Sequence, residues 1–447
     1  MIQKVVIANR GEIASRVIRT AKRLGIRTVA VHSEADARAV HVGEADERVP
    51  IGPAAARDSY LKVEQILEAA QKTGADAVHP GYGFLSESAE FAKACRDAGL
   101  TFIGPPIEAI AAMASKVASR AVAERANVPV IPGTAELASA DEAVAAAERV
   151  GFPVLLKPSG GGGGIGMSTA QSADEIVKHF QGVRERAQRF FGDGAVYLEK
   201  LLAQPRHVEV QVAGDAHGHL VHLGERECSI QRRHQKVVEE TPSPAVDEEL
   251  RERLVQAALR LARAVGYSSL GTVEMLVEGR ELYFLEMNTR LQVEHTVTEM
   301  VTGLDLVEWQ FRVAMGEELP ARQDDIRFCG HAIQCRIYAE DPDRGFFPSP
   351  GRITRFLVPR AAGVRNDVGV VQGDFVTPYY DPLIAKLVVH GPDRDGAIAR
   401  LREALAAYQI EGLATNLAMH RRIVADEAFV RGELSTHFLR ARLGLKG

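Results

Sequence analysis

Cysteine is scarce in this chain, and its few copies are scattered. Only four occur among 447 residues, namely Cys95, Cys228, Cys329 and Cys335. None forms a C-x-x-C pair, the spacing that is common to zinc sites and redox dithiols. The pattern argues against structural zinc and against a disulfide framework, and we expect reduced, mostly buried thiols.

Long apolar runs and a strong net charge are also lacking. No stretch of 18 apolar residues occurs, so no membrane span is predicted. The segment Met1–Ile7 lacks the apolar stretch and cleavage site of a signal peptide and is typical of a first strand, so we expect a cytoplasmic protein. A net charge of −5 argues against a protein that coats nucleic acid.

Strands and helices alternate over the first hundred residues. Short apolar strands are predicted at Lys4–Ala8 and Thr28–His32, with a helix at Gly11–Leu24 between them. This alternation predicts a parallel, doubly wound sheet. The first strand-to-helix turn, Asn9–Glu12, carries one glycine where dinucleotide-binding folds carry three, which argues against a dinucleotide site.

Later segments differ in pattern, so the fold class is predicted as α/β and α+β multidomain. Capping boxes at Ser139–Glu142 and Ser172–Glu175 open helices, while paired strands follow from about residue 200. Near the end, a turn is predicted at Asp393–Gly396 and a helix at Ala397–Tyr408. We predict an N-terminal domain at 1–113, a central domain at 114–325 with a glycine-rich lid at about 130–200, and a mixed β domain at 326–447.

The strongest local signal is an alternation of polar residues from Glu286 to Glu294. In an extended chain these polar side chains share one face. A hairpin that pairs Glu278 with Leu282 would also place Glu274 directly opposite Glu286. Taken by itself, the alternation of polar residues would also fit an edge strand with one solvated face.

Two facing carboxylates repel each other unless a cation lies between them. With Asn288 on the same face, Glu274 and Glu286 form an oxygen-rich set that suits Mg²⁺ bound together with nucleotide phosphates. An accidental pair of like charges would be destabilising, so the hairpin predicts a metal site.

Two further segments indicate anion binding. Lys157 stands at the end of a predicted strand, directly before a run of glycines whose N–H groups could face phosphate oxygens. The run alone would also fit a flexible linker. The charged segment Glu225–Glu240 fits either a solvated face or an anion site.

These motifs stand in the order found in biotin carboxylases, which the chain resembles over essentially its whole length. The segments that carry the resemblance are the polyglycine loop, Asn9–Ala14, His79–Glu87, Gln231–Lys236, Glu286–His295 and Arg336–Pro342. The resemblance implies an ATP-grasp fold and a ligase that uses ATP, Mg²⁺ or Mn²⁺, bicarbonate and biotin.

The resemblance also implies roles for matching residues. It assigns ATP contacts to Lys116, Lys157, Gly163, Gly164, Glu199, Lys200, Leu202, His207, Gln231, His234, Glu274, Leu276 and Glu286. It assigns the metal to Glu274, Glu286 and Asn288, and bicarbonate to Lys236, Arg290, Gln292, Val293 and Glu294. Tyr82 and Arg336 match positions near biotin. The expected catalytic residues are Lys236, Arg290, Glu294 as general base, and Arg336 facing the ureido oxygen.

Two positions depart from the family pattern. Ile165 stands in the glycine loop where the family usually carries Arg or Lys, so one phosphate-directed cation is missing. Ser115 stands where Asp is common before Lys116, and we expect little effect from it.

The resemblance further implies a homodimer that works with a separate biotin carboxyl carrier protein and a carboxyltransferase. No Met-Lys-Met biotinylation signature occurs in the chain, so biotin is expected on the carrier. The final acceptor is left open among acetyl-CoA, as in fatty acid biosynthesis, other acyl-CoA, pyruvate and urea. The rival functions are a different ATP-grasp ligase that makes carbamate and a non-catalytic nucleotide-binding protein.

Overall fold

The computed structural model describes residues 1–158 and 166–445, and its N-terminal region is a parallel sheet with helices on both faces. The elements are β1 (Lys4–Ile7), α1 (Gly11–Arg23), β2 (Arg27–His32), α2 (Val40–Glu44), β3 (Glu47–Pro50), α3 (Val63–Thr73), β4 (Ala77–His79), α4 (Ala89–Asp97), β5 (Thr101–Phe102) and α5 (Ile107–Met113). The strand order is β3-β2-β1-β4-β5, and every pairing is parallel. Val5, Val6 and Ile7 are fully buried because helices cover both faces. The predicted doubly wound sheet is confirmed.

A small α/β unit follows and has a core of its own. Its elements, after α6 (Lys116–Arg125), are α7 (Ala140–Val150), β6 (Val154–Pro158), β7 (Ser168–Ala170), α8 (Ala173–Phe191) and β8 (Val196–Lys200). Leu156, Ile176 and Leu198 are fully buried between its helices and the sheet β7-β6-β8. The serine half of both predicted capping boxes forms, since Ser139 and Ser172 each accept the N–H of the third helical residue. The glutamates Glu142 and Glu175 accept the N–H of the residue before each serine rather than that of the serine itself.

The remaining chain forms a large antiparallel sheet with helices and short hairpins around it. Its elements are β9 (Arg206–Gly214), β10 (Leu220–Arg232), β11 (Gln235–Thr241), α9 (Glu248–Ala264), β12 (Ser269–Glu278), β13 (Glu281–Asn288), α10 (His295–Thr302), α11 (Leu306–Ala314), β14 (His331–Tyr338), β15 (Glu340–Asp341), β16 (Phe347–Pro348), β17 (Gly351–Arg352), β18 (Arg355–Leu357), β19 (Val364–Val368), β20 (Phe375–Val376), β21 (Leu383–Gly391), α12 (Arg394–Ala407), β22 (Gln409–Glu411), α13 (Leu417–Ala425), α14 (Glu427–Val430) and α15 (Phe438–Leu443).

Eight of these strands join in the order β13-β12-β9-β10-β11-β14-β21-β19. The sheet therefore brings strands from before and after residue 325 into one hydrogen-bonded surface, and the predicted division into three domains stays a prediction. Near the C-terminus, the predicted turn at Asp393–Gly396 is wrong. Asp393 accepts the Gly396 N–H as the N-cap of α12, so the helix begins at Arg394 rather than at Ala397.

The hairpin of β12 and β13 places Glu274 directly opposite Glu286, as predicted. The predicted pairing at its tip is wrong, because Glu278 pairs with Glu281 and not with Leu282. The turn therefore contains two residues instead of three.

A β-bulge explains how a two-residue turn still places Glu274 opposite Glu286. Met275 pairs with Phe284, whereas Glu274 pairs with Glu286, so Leu285 is an extra residue in β13. Such an insertion shifts the pairing register by one residue, so the side chains that follow it point to the opposite face of the sheet. Without it, Glu286 would not face Glu274.

Among the residues that the structure describes, no helix combines the length and the apolar composition needed to cross a membrane.

Candidate active site

One lysine ammonium lies among three buried carboxylates at the centre of the large sheet. Lys236 Nζ on β11 lies 2.5 Å from Glu209 Oε2, 2.6 Å from Glu274 Oε1 and 2.7 Å from Glu294 Oε1. The carboxylates come from β9, from β12 and from the N-cap residue of α10. Strands that are distant in sequence thus supply one compact charged cluster.

The cluster sets the protonation of its members. Burial alone would raise the pKa of Glu294, but Lys236, Arg336 and Arg226 together hold that pKa well below its usual value. Burial would lower the pKa of Lys236, yet the surrounding carboxylates raise it well above its usual value. Both groups are therefore charged at neutral pH.

The predicted extended row of polar residues ends at Asn288, where β13 stops. The chain then turns, and Glu294 stands at the N-cap position of α10, without a side-chain capping bond, instead of continuing a strand. The turn still brings the row together, since Gln292 Nε2 donates to Glu274 Oε1 at 2.6 Å and Arg290 Nη2 donates to Asn288 Oδ1 at 2.8 Å. The expected clustering is found, and the expected strand is not.

The proposed metal residues offer the oxygen atoms that Mg²⁺ prefers. Burial and the negative charge of Glu274 raise the pKa of Glu286. A divalent cation bound between the two carboxylates would offset this repulsion. Asn288 Nδ2 donates to Glu274 Oε1 at 2.8 Å, and its Oδ1 accepts from Arg290. Glu274, Glu286 and Asn288 thus fit a metal, although Asn288 would have to exchange its contact with Arg290 to become a ligand.

Two predicted ATP-site lysines have different partners. Lys157 Nζ, at the end of β6, lies 2.6 Å from Glu199 Oε2. Lys200 Nζ donates to the carbonyls of Gly151 and Phe152 at 2.8 Å each, so it braces the loop before β6. Lys157 is therefore the better placed of the two to meet a phosphate.

His207 connects predicted ATP residues to the carboxylates. Its Nε2 lies 2.9 Å from Glu274 Oε2, and its Nδ1 lies 2.8 Å from Gln231 Nε2. Leu276 pairs with His207 across β9 and β12. His234 lies in the exposed turn between β10 and β11 with a φ of 64°.

Some of the other predicted ATP residues belong to the described part of the chain, and others fall outside it. Lys116 begins α6 and lowers the pKa of Glu286 against the larger effects of burial and Glu274. Leu202 is buried. The departure at Ser115 is accommodated, since its side chain caps α6. The predicted loop residues lie outside the described residues; they are Gly163, Gly164 and Ile165.

The predicted biotin residues line one cleft with part of the predicted bicarbonate site. The cleft has a volume of about 330 Å³ and is bordered by Tyr82, Arg290, Val293 and Arg336. A cleft of this size suits a small ligand that enters from outside.

Arg336 is held between two carboxylates beside this cleft. Its Nε donates to Glu239 Oε1 at 2.5 Å and its Nη2 donates to Glu294 Oε2 at 2.9 Å. Tyr82 donates its hydroxyl proton to the buried carboxylate of Glu12. The two oxygens of Glu294 therefore meet two different cations, Lys236 on one side and Arg336 on the other.

Comparisons with known proteins cover nearly the whole chain. Residues 1–110 match the family described as "Biotin carboxylase, N-terminal domain", and residues 334–441 match "Biotin carboxylase C-terminal domain". Residues 115–322 match "Carbamoyl-phosphate synthase L chain, ATP binding domain". The protein named biotin carboxylase from Halalkalibacterium halodurans is 55% identical over 448 residues, which cover 100% of this chain and 99% of that relative.

The chain belongs to the biotin carboxylase family. Solved structures agree with this assignment. The biotin carboxylase complex with β-γ-ATP from Campylobacter jejuni superposes with a TM-score of 0.93 at 44% identity, covering 99% of each chain. The biotin carboxylase domain dimer of the Hydrogenobacter thermophilus 2-oxoglutarate carboxylase, solved with MgADP and bicarbonate, gives a TM-score of 0.91 at 46% identity, covering 99% and 98% of the two chains. The predicted ATP-grasp fold and ligase class are confirmed.

Two buried residues of this charged cluster were not predicted from the sequence. Glu209 is fully buried and accepts from Arg226 Nε at 2.5 Å and from Lys236 Nζ. Arg226 is also fully buried and donates to Gln211, Thr298, Thr272 and Gln292. Two signals were available: polar residues alternate along β9, and Arg226 stands in the charged run for which a solvated face was one alternative. That alternative is wrong for Arg226.

Two more carboxylates hold predicted site arginines. Glu239 binds Arg336, and Glu87 accepts from Arg290 Nε at 2.8 Å. Glu87 ends the segment His79–Glu87, and its place in that family-like segment was the only signal for it in the sequence.

Proposed function

We propose that the chain uses ATP to join bicarbonate to N1′ of biotin held on a carrier protein, with carboxyphosphate as the intermediate. The observation that carries the proposal is the pairing of Glu294 with two cations on opposite sides, Lys236 in the carboxylate cluster and Arg336 at the cleft. A single carboxylate thereby joins the place for activating bicarbonate to the place for accepting its carbon.

Glu294 is the general base that removes the bicarbonate proton. In the described state its pKa lies well below the usual value, so it is ionised but weakly basic. An arriving bicarbonate would draw Lys236 toward itself, which lessens the stabilisation of the Glu294 carboxylate and raises its basicity. Bicarbonate would be held by Lys236 and Arg290 together with Gln292 and the Val293 backbone.

The deprotonated bicarbonate oxygen then attacks the γ-phosphorus of ATP, so that carboxyphosphate forms as the bond to the leaving ADP breaks. This phosphoryl transfer requires stabilisation of charge on the phosphates. Lys157 and the glycine amides, with Gly163 and Gly164 among them, would meet the phosphates, while Lys116, Glu199, Lys200, Leu202, His207, Gln231, His234 and Leu276 complete the ATP site. Glu274, Glu286 and Asn288 would hold Mg²⁺ or Mn²⁺, which neutralises phosphate charge when it is bound. Closure of the glycine lid would keep water from the reactive anhydride.

The second half-reaction uses the cleft. Carboxyphosphate breaks down to CO₂ and phosphate, and phosphate, or a group that it assists, takes the N1′ proton of biotin. N1′ then attacks CO₂ while Arg336 stabilises the enolate-like ureido oxygen. Tyr82 forms part of the wall that biotin meets.

One pair of variants tests this division of work. Glu294→Gln should abolish both ATP cleavage and biotin carboxylation, because Glu294 acts before carboxyphosphate exists. Arg336→Gln should lower biotin carboxylation by about 10²–10³. It should spare much of the bicarbonate-dependent ATPase measured without biotin, since Lys236 still keeps Glu294 ionised. If Arg336→Gln loses that ATPase as completely as Glu294→Gln does, the assignment of the biotin end is wrong.

The assembly is part of the same proposal. A carrier protein would present biotin at the cleft, a carboxyltransferase would use the product, and the chain would form a homodimer; the carrier and the transferase are proposed as separate chains. A cytoplasmic location fits the four unpaired cysteines, three of them buried. Identifying the carrier and the transferase that co-purify with the chain would reveal the final carboxyl acceptor. Acetyl-CoA, as used in fatty acid synthesis, is one candidate acceptor.

A further inference from the structure

The backbone of β14 is irregular where it carries Arg336. The pairing of β14 with β21 shifts register between Ile337 and Tyr338. The pairing with β11 reaches only as far as Cys335. Beyond that point β14 still pairs with β21, but its backbone groups on the β11 side need other partners, because a buried carbonyl or N–H without one is costly.

Asn416, directly before α13, supplies these partners from its side chain and its backbone. Its Nδ2 donates to the Arg336 carbonyl at 2.9 Å, and its Oδ1 accepts the Tyr338 N–H at 2.9 Å. Its own N–H donates to the Tyr338 carbonyl at 3.2 Å. One buried asparagine therefore takes the place of a neighbouring strand for both residues.

His420, one turn further along, reaches the same carbonyl. Its Nε2 lies 2.7 Å from the Arg336 oxygen, and the ring is fully buried. Burial lowers the pKa of His420 to about 4, so the ring is neutral near pH 7 and Nε2 carries the donated proton. Two side-chain donors thus converge on the backbone of a single residue.

The location of these contacts gives them a consequence for the cleft. Residues two apart on a strand point to the same face, and Arg336 and Tyr338 both border the cleft. Their backbone orientation decides where the guanidinium meets Glu239 and Glu294. Ordinary packing of a helix on a sheet would not require donors aimed at the carbonyl of the residue that faces biotin.

We propose that Asn416 and His420 are positioning residues for the biotin half-reaction, which hold the backbone of Arg336 and Tyr338 so that both side chains face the cleft. The inference rests on the proposed role of Arg336. It adds two residues of the C-terminal region that are not among those assigned to the ATP or bicarbonate sites.

Asn416→Asp tests the proposal because it keeps the size and the acceptor for Tyr338 but loses the donor to Arg336. His420→Leu removes the second donor and serves if the aspartate variant folds poorly, while His420→Gln keeps a donor. Arg421→Gln is the matched control: Arg421 is the next residue of α13, and its guanidinium donates to the carbonyls of Leu405 and Tyr408, away from the cleft.

The measurements are kcat/KM for free biotin, the bicarbonate-dependent ATPase without biotin, and the thermal midpoint. Asn416→Asp and His420→Leu should lower kcat/KM for biotin by about 10- to 100-fold, the cost of a small misplacement of a reacting group. Their ATPase should stay close to that of Arg421→Gln, and His420→Gln should retain most of the biotin activity.

Three results would overturn the inference. Equal loss of both activities with a lowered midpoint in both donor-loss variants would make the contacts structural only. Biotin kinetics no different from those of Arg421→Gln would show that Arg336 needs no such support. If Arg336→Gln itself fails to separate the two activities, the failure belongs to the proposed function, and the inference falls with it.

Discussion

Replacement of Lys236 by methionine would remove the cation that Glu209, Glu274 and Glu294 share. Glu209 keeps Arg226, and Glu294 keeps Arg336. Among the described residues, Glu274 keeps the imidazole of His207 at 2.9 Å and the amide donors of Asn288 and Gln292, but no lysine or arginine within ion-pair distance. Breaking a buried ion pair by removal of one partner costs about 3–5 kcal/mol. Because two of the carboxylates remain paired, we expect the lower end, about 3 kcal/mol at neutral pH.

The pH dependence of this loss has a definite sign. In the parent protein the pKa of Glu274 lies well below its usual value, so the group is ionised in both the folded and the unfolded chain near neutral pH. In the variant its pKa should rise above the unfolded value of about 4.3. The folded variant then binds a proton that the unfolded chain does not, so the destabilisation should shrink by up to about 1.4 kcal/mol per pH unit on acidification.

The chain contains one tryptophan, Trp309, which is buried in α11 and reports unfolding of the surrounding region. Urea unfolding followed by its fluorescence, without metal or nucleotide, would give the stability difference between parent and variant at pH 7 and pH 5. Lys72→Met is the control, because its ion pair with Glu68 is exposed and should contribute under about 1 kcal/mol. A destabilisation that stays constant or grows on acidification would refute the reasoning.

Three further predictions concern the metal residues, the glycine loop and the biotin carrier. Glu286→Gln should weaken metal-dependent ATP turnover by orders of magnitude in a folded protein, whereas Glu281→Gln at the exposed start of β13 should not; unchanged Mg²⁺ dependence would count against the metal site. Ile165→Arg should lower the KM for ATP by restoring a phosphate-directed cation, an effect of about 0.5–2 kcal/mol; an equal or higher KM would mean that the loop does not use one. The purified chain should carry no covalent biotin by intact-mass spectrometry, and a biotin adduct would overturn the proposed separate carrier.

Local sequence patterns predicted individual elements well because their causes are local. The caps at Ser139 and Ser172 depend on neighbouring residues alone. The facing of Glu274 and Glu286 was also predicted, but through a turn of the wrong length that the bulge at Leu285 compensates. A bulge leaves no local signature in this hairpin that the alternation of residues could reveal.

The missed residues depend on how distant strands pair. Alternation along β9 suggests one buried and one solvated face, yet both faces are buried in this central strand, so Glu209 points into the site. Likewise, Glu239 contacts Arg336 because β11 and β14 are neighbours in the sheet, although about ninety residues of chain lie between the two strands. Neither contact follows from the spacing of residues along the chain.

Glu294 separates Lys236 from Arg336 by the width of one carboxylate. Under the proposed mechanism, CO₂ released on the Lys236 side of this carboxylate is either captured by biotin on the Arg336 side or lost to water. Capture therefore competes with leakage at a single side chain. The number of ATP molecules consumed per biotin carboxylated would measure how well the two sides of Glu294 are coupled.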